Sequence, residues 1–215
     1  RLWACASGDL ADRAGDLLAH ALWEIESFVR THPYFDTALN RVEVPAEASE
    51  IVRRMAEAGQ VARVGPMAAA AGAVAEYVAR GLAELSPDVV VENAGALYLM
   101  GREERTVRVW AGRGATSGVG IRIPAGMQPV AVCASRGEVS AAPLDGPGAV
   151  IALARNGALA DAVATALAHR VSEAEDVERA IEAARGTHGI FGVIAVVQGR
   201  LGAWGNVRLV SLDRL

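Results

Sequence analysis

Several features that would point to familiar protein classes are scarce in this sequence. It contains only two cysteines, Cys5 and Cys133, so it is not a small scaffold held together by disulfides, and both residues are expected to be buried, reduced thiols. No apolar run approaches the roughly 20 residues needed to cross a membrane without polar interruption. Basic residues give no overall excess, because the formal net charge is -4. Nucleic acid and membrane are therefore not expected partners.

The composition is that of a folded protein. Of the 215 residues, 52% are hydrophobic and 21% are charged, which excludes a disordered chain. This length is sufficient to bury a core, and we expect one domain over residues 1–215. A cytoplasmic location is the default expectation.

The first half of the chain is helical in pattern. Apolar residues recur at helical spacing over residues 9–30 and 46–58, and Gly59 is expected to end the second helix. A third helix is predicted over residues 67–85, with Pro66 in its first turn. Its charged residues are four apart and predict one narrow solvated stripe, formed by Glu76, Arg80 and Glu84.

The second half changes period and is richer in strands. Besides a strand at the N-terminus, alternating or continuous apolar runs predict strands over residues 89–100, 106–111, 119–123, 130–134, 149–154, 190–197 and 207–212. Helices are predicted over residues 158–171 and 173–185, the latter with a capping box of Ser172 and Glu175 and a stop at Gly186. Helices and strands come in blocks, which predicts an α+β fold with an antiparallel sheet.

Three polar residues interrupt an otherwise apolar helix. Asp161, Thr165 and His169 are four apart and share one face. A carboxylate in apolar surroundings needs a cation, a metal or several donors, and hard oxygen ligands suit Mg²⁺. The segment therefore predicts either a metal site at Asp161 and Thr165 or a structural cap. His169 is either a further ligand or a residue favoured by the helix dipole.

Two further segments are candidates for ligand contact. Glu92, Asn93 and Gly95 interrupt an apolar strand, and a glycine there marks either a bulge or a place where a ligand approaches the backbone. Ser135 and Gly137 follow another strand, in a turn that is either ordinary or a nest of backbone N–H groups for a phosphate. The glycine-rich residues 113–118 predict a hairpin turn.

Three motifs together resemble a known family. They are residues 64–76 (VGPMAAAAGAVAE), 91–96 (VENAGA) and 160–166 (ADAVATA). They are similar to those of an uncharacterised prokaryotic ApbE-like family, distant relatives of the FAD:protein FMN transferases. The resemblance covers nearly the whole chain and implies a T-fold-like antiparallel sheet with helices packed on it.

The resemblance also implies roles for individual residues. Asp161 and Thr165 match the residues that hold Mg²⁺ in the transferases, whereas Glu92, Asn93 and Gly95 match a turn against the flavin nucleotide. Ser135 matches the serine of a Thr-Ser-Gly turn, with Gly137 beside it.

The sequence also departs from the transferase pattern. Ala94 and Ala96 stand where Gly and Asp are expected, Arg136 and Glu138 stand where the closer family has small hydroxyl residues, and residues 140–147 contain no histidine.

The resemblance leaves three functions open. The first is binding of FAD or another adenine nucleotide with Mg²⁺, with or without FMN transfer. The second is an enzyme that acts on another small phosphorylated substrate. The third is a non-catalytic scaffold or assembly subunit, with Trp23, Trp110 and Trp204 as contact residues, and homo-oligomerisation is left open.

Overall fold

The computed structural model of the chain describes residues 2–108, 118–136 and 148–212. Arg136 is therefore the last described residue of its segment, and Gly137, Trp110 and residues 113–117 and 138–147 lie outside the described residues. The α+β fold is confirmed: helices pack against an open antiparallel sheet. No described helix is both long and apolar enough to cross a membrane.

Six α-helices occur in the described chain, together with short 3-10 turns at Pro66–Ala69 and Ala125–Met127. The helices are α1 (Ala11–Thr31), α2 (Tyr34–Thr37), α3 (Glu50–Ala62), α4 (Ala70–Ala83), α5 (Gly157–Ala168) and α6 (Asp176–Arg185).

Ten strands complete the described secondary structure. They are β1 (Leu2–Ala6), β2 (Val89–Asn93), β3 (Ala96–Met100), β4 (Arg105–Arg108), β5 (Val119–Ile123), β6 (Val130–Arg136), β7 (Ala149–Ala154), β8 (Ile190–Val197), β9 (Arg200–Gly205) and β10 (Leu209–Ser211). Seven of them form one sheet in the order β1-β2-β3-β6-β7-β8-β9, and β10-β5-β4 form a second. All the pairings are antiparallel.

The two faces of the large sheet have different partners. Residues such as Ala131, Cys133 and Ala152 point toward the helices, whereas Val132 and Ile151 belong to a second cluster that includes Ile121 of the small sheet. Small side chains on the helix-facing side let α5 lie close to β6 and β7, because little volume separates backbone from backbone. α5 is thus enclosed by the sheet, α3 and α4, which explains why it is apolar nearly all round.

Several boundaries differ from the sequence-based predictions. Residues 89–100 form a hairpin rather than one strand, and the segment predicted only as a connection contains β9. Gly59 lies inside α3, which ends at Ala62 and has Arg63 as its C-cap in the left-handed conformation at φ 60°. Tertiary packing of Gly59 against Val64 and Pro66 overrides the stop signal.

Two local predictions about charged residues are wrong. The capping box at Ser172 and Glu175 does not form, because the Asp176 carboxylate accepts from the backbone N–H groups of Ser172 and Glu173 instead. Glu76 does not lie on a solvated stripe: it is 3% exposed. Gly186 does end α6, as predicted.

Candidate functional site

The start of α4 joins two of the predicted site residues. The Gly72 N–H donates to Asp161 Oδ2 at 2.8 Å, and Asn93 Nδ2 donates to the neighbouring Ala71 carbonyl at 3.1 Å. The first N–H groups of a helix have no partner within the helix, so a carboxylate from α5 satisfies one of them. Asn93 and Asp161 are 68 positions apart in sequence, and they bind the consecutive residues Ala71 and Gly72 in one turn of α4.

Asp161 is in an electrostatically unusual position. Its side chain is buried, which raises the pKa of the carboxyl to about 6, although hydrogen bonds from the backbone of Gly72 and Ala71 act in the opposite direction. Burial disfavours the charged form of a carboxyl group, and neutral N–H donors compensate only in part. The structural cap proposed for Asp161 is therefore present, and the carboxylate would still be stabilised by a cation.

Thr165 and His169 differ in their surroundings. Thr165 is half-buried one turn beyond Asp161, and its hydroxyl has no hydrogen-bond partner among residues 2–108, 118–136 and 148–212. His169 is the exposed C-cap of α5, two turns beyond Asp161. Within that same part of the chain no cluster of three or more His, Cys, Asp or Glu residues is placed to hold a metal.

The Glu92 segment forms a tight hairpin turn. Both central residues have positive φ, 49° at Ala94 and 91° at Gly95, which is the conformation of a type I′ turn. Glu92 Oε1 accepts from the Gly95 N–H at 2.8 Å and closes the turn. Gly95 is therefore not part of a bulge: it and Glu92 serve a turn between two strands. The approach of a ligand to this backbone stays a prediction.

This turn lies against the end of β6. The Gly95 carbonyl accepts from the Ala134 N–H at 3.0 Å, which places Ser135 next to the hairpin turn. The prediction that Ser135 follows its strand in a turn is wrong, because Ser135 lies within β6 and pairs with Val150 of β7. Glu92, Gly95 and Ser135 line one cleft of about 500 Å³ between the two sheets. Its other lining residues are Ala94, Leu97, Val107, Arg108, Ile121, Val132, Ala134, Arg136, Ala149 and Ile151. We call this cavity the hairpin cleft.

The predicted residues thus fall into two groups at one end of the sheet. Glu92 and Asn93 are neighbours in β2, and because strand side chains alternate, Glu92 faces the hairpin cleft and Asn93 faces α4. Cys133 of β6 lies beside the group that contains Asn93 and Asp161, since its thiol contacts the carbonyl of Gly157 in α5 at 3.7 Å. Burial, and then the charges of Asp161 and Glu76, raise the pKa of that thiol, so it is not a reactive thiolate.

Sequence reasoning missed the role of Glu76. Its carboxylate accepts from the Gly157 N–H at 2.6 Å and from Arg54 and Arg80, each at 2.7 Å. Glu76 therefore accepts a hydrogen bond from a backbone N–H group in the first turn of α5, as Asp161 does in the first turn of α4. The argument that an acid in an apolar helix needs a partner applied to Glu76 as well as to Asp161.

A short repeat in the sequence carries this reciprocal arrangement. Residues 72–76 read Gly-Ala-Val-Ala-Glu and residues 157–161 read Gly-Ala-Leu-Ala-Asp. In each copy the glycine N–H donates to the acid of the other copy. A Cβ on Gly72 would lie 2.1 Å from the Gly157 carbonyl oxygen, so the two glycines set the close approach of α4 and α5. This pairing of segments 85 positions apart was the signal that sequence reasoning did not use.

Comparison with known proteins gives one family and a set of archaeal relatives. The family described as AbpE bacteria matches residues 2–199. A UPF0280 protein of Methanocaldococcus jannaschii is 33% identical over 94% of this chain and 85% of its own length. A UPF0280 protein of Methanocella arvoryzae is 29% identical over 89% of this chain and 79% of its own.

Solved structures give a more distant similarity. The flavinyl transferase ApbE of Pseudomonas stutzeri matches 66% of this chain with 17% identity and a TM-score of 0.46, and the match spans 48% of its own length, less than half. The flavin transferase ApbE of Vibrio cholerae matches 90% of this chain and 76% of its own, with 15% identity and a TM-score of 0.45. Similarity at this level carries no argument about function.

Proposed function

Because the chain belongs to the family described as AbpE bacteria, we propose that it binds a flavin or adenine nucleotide at the hairpin end of its large sheet. FAD is the first nucleotide to test, since the motifs of residues 64–76, 91–96 and 160–166 resemble those of the ApbE superfamily. The ligand would lie in the hairpin cleft, against Glu92, Gly95 and Ser135.

One observation carries this proposal. The residues selected from the sequence come from three separate segments. At one end of the large sheet the fold brings Glu92, Gly95 and Ser135 together in the hairpin cleft, and it places Asn93 and Asp161 against α4 on the other face of the sheet. The hairpin cleft, of about 500 Å³, is within the usual size range of small-molecule sites. A nucleotide phosphate would be attracted by Arg108 and Arg136, which line the cleft with Glu92 as the one acid among the described lining residues.

The residues at α4 and α5 fit a divalent cation. Asp161 offers a buried carboxylate without a cationic partner in the described part of the chain, and Thr165 offers a hydroxyl one turn away. Such oxygens are ligands that Mg²⁺ accepts, with water and phosphate oxygens completing its shell. We therefore propose Asp161 and Thr165 as ligands of Mg²⁺ on the helix-facing side of the sheet, where the ion would compensate the charge of Asp161.

A more specific proposal is that the protein also transfers FMN from bound FAD to an acceptor. In that reaction the acceptor hydroxyl loses its proton, its oxygen bonds to the FMN phosphorus, the diphosphate P–O bond of FAD breaks, and AMP leaves. Ala94, Ala96 and residues 140–147 depart from the transferase pattern, so the proposal places binding first and transfer second.

A thermal melt tests the binding proposal. Wild type, Asp161→Asn and Asp36→Asn would be melted with FAD, FMN or AMP, each with and without Mg²⁺. A ligand at about 100 times its Kd stabilises the fold by about 2.7 kcal/mol. We expect FAD to raise Tm more with Mg²⁺ in wild type and in the exposed control Asp36→Asn, and the Mg²⁺ dependence to vanish in Asp161→Asn.

The outcomes separate the alternatives. If no nucleotide shifts Tm, the binding proposal is wrong and the scaffold hypothesis takes its place. If FAD shifts Tm, chromatography of the same samples for released AMP then tests transfer. Binding without AMP release would limit the function to nucleotide binding.

A further inference from the structure

A second cleft opens at the opposite end of the large sheet. It has a volume of about 690 Å³ and is lined by Pro124, Gly126, Met127, Arg155, Phe191, Gly205, Asn206, Val207 and Arg208. We call it the arginine cleft. Arg155, which lines the arginine cleft, directly follows β7, whereas Ala149, which lines the hairpin cleft, is the first residue of β7. Ala149 and Arg155 are six residues apart along the strand, which corresponds to a distance of about 20 Å.

The arginine cleft is positively charged on an acidic protein. Arg155 and Arg208 line it, and no acidic residue does so in the part of the chain that the structure describes. Neither guanidinium group has an ion-pair or side-chain hydrogen-bond partner within residues 2–108, 118–136 and 148–212. Arg200, by contrast, is paired with Glu178 at 2.6 Å.

Part of the cleft wall is apolar, and backbone contacts hold the segment after β9 in place. Phe191 and Met127 are half-buried there, and the Phe191 carbonyl accepts from the Asn206 N–H at 2.7 Å. Gly205 has φ 83°, and a Cβ on it would lie 2.1 Å from that same carbonyl oxygen, so only glycine permits this approach. The backbone thereby holds Asn206, Val207 and Arg208 against the start of β8.

From this arrangement we propose that the arginine cleft binds a small anionic ligand that carries a planar ring. The guanidinium group of arginine forms bidentate hydrogen bonds with the oxygens of a phosphate or a carboxylate. The concave shape of the cleft concentrates the positive potential of its two arginines. Phe191 supplies a face or edge for a ring, and Met127 a polarisable contact. The site is independent of the hairpin cleft and of nucleotide binding there.

Calorimetric titration with three probes tests the proposal. Phenyl phosphate combines a ring with a phosphate, benzoate combines a ring with a carboxylate, and inorganic phosphate lacks the ring. We expect phenyl phosphate or benzoate to bind wild type more tightly than inorganic phosphate, and the stronger of the two identifies the anion. Arg155→Gln and Arg208→Gln should each weaken that binding by at least about tenfold, the effect of losing a charged hydrogen bond.

Matched variants make the test specific. Arg41→Gln removes an exposed arginine on the helical side of the molecule and should leave binding unchanged. Phe191→Leu should weaken the ring-bearing probe and leave inorganic phosphate unaffected, and thermal melts of each variant establish that it folds. Asp161→Asn and Ser135→Ala should have no effect.

Three results would overturn the proposal. The first is the absence of measurable binding of phenyl phosphate and benzoate to wild type. The second is an equal loss of binding in Arg41→Gln and in Arg208→Gln. The third is loss of binding in Ser135→Ala, which would place the probe in the hairpin cleft, or in Asp161→Asn, which would place it at the contact of α4 and α5.

Discussion

At the scale of single residues, two buried acids organise the centre of the molecule in different ways. Glu76 is matched by two arginines as well as by the Gly157 N–H, so its negative charge is compensated. Asp161 accepts from the Gly72 N–H, and no cation lies beside it in the described chain. The fold therefore tolerates the charge of Asp161 less well than the charge of Glu76, which has a consequence for pH dependence.

The stability of wild type should fall as the pH rises through the range in which Asp161 ionises. The folded state holds the Asp161 proton up to a pKa of about 6, whereas the unfolded chain releases it near 3.8. The folded form thus binds more protons between these values, and stability decreases as the pH rises from about 4 to about 6. The difference corresponds to about 3 kcal/mol.

Urea unfolding of wild type and Asp161→Asn at several pH values measures this contribution. The variant should lack the decrease, because its amide still accepts from Gly72 but carries no proton to lose. Added Mg²⁺ should stabilise wild type above pH 6 and have little effect below pH 5. Identical pH profiles for the two proteins would contradict the assignment of the shifted pKa to Asp161.

At the scale of elements, sequence periodicity could not predict the contact between α4 and α5. Helical spacing predicted both helices, alternation predicted β5, and continuous apolar runs predicted β7 and β8, all three strands with their observed bounds. Periodicity assigns a charged residue to the surface unless a partner is known, so Glu76 was misplaced. β9 was missed because an edge strand with two glycines and exposed positions has little apolar pattern.

The same limit applies to the candidate site. Asp161, Asn93, Glu92 and Ser135 could be selected because polar residues inside apolar runs stand out. Their distribution between the cleft and α4 could not be predicted, since it depends on the position of the hairpin turn and on strand register. Gly137 and Trp110 lie outside the described residues and stay predictions.

A pair of glycine substitutions tests the helix contact. In Gly72→Ala the added Cβ would lie 2.1 Å from a backbone oxygen of Gly157, which no side-chain rotation can relieve. We expect α4 and α5 to separate and the free energy of unfolding to fall by about 2 kcal/mol or more, within the range of overpacked cores. Gly15→Ala is the control, because its Cβ meets no atom within 4 Å in α1.

Chemical denaturation distinguishes the two variants. Gly15→Ala should stabilise the protein by about 0.4–1 kcal/mol through the lower entropy of its unfolded chain. Gly72→Ala should also reduce the stabilisation by Mg²⁺, since its N–H positions Asp161. A Gly72→Ala protein as stable as wild type would show that the helices can separate at little cost.

At the scale of the whole molecule, the large sheet separates two clefts of different character. The hairpin cleft lies beside the polar cluster at α4 and α5, whereas the arginine cleft lies beyond the other ends of β7 and β9. The sheet between them is continuous from β1 to β9, with buried side chains on both faces of its central strands. Because a close-packed interior has low compressibility, the sheet holds the two clefts apart.

Hydrogen exchange measured by mass spectrometry can map both clefts in one protein. FAD with Mg²⁺ should slow exchange in residues 70–76 and 92–96 and at the end of β6, because ligand contact suppresses local opening there. Residues 205–208 should be unaffected by FAD with Mg²⁺ and slowed by the ring-bearing anion that binds the arginine cleft. Slowing at residues 205–208 alone by FAD would place the nucleotide in the arginine cleft and contradict the assignment of Glu92, Gly95 and Ser135. A protein that neither ligand protects, but that is protected at high protein concentration, would instead act through contacts between copies of the chain.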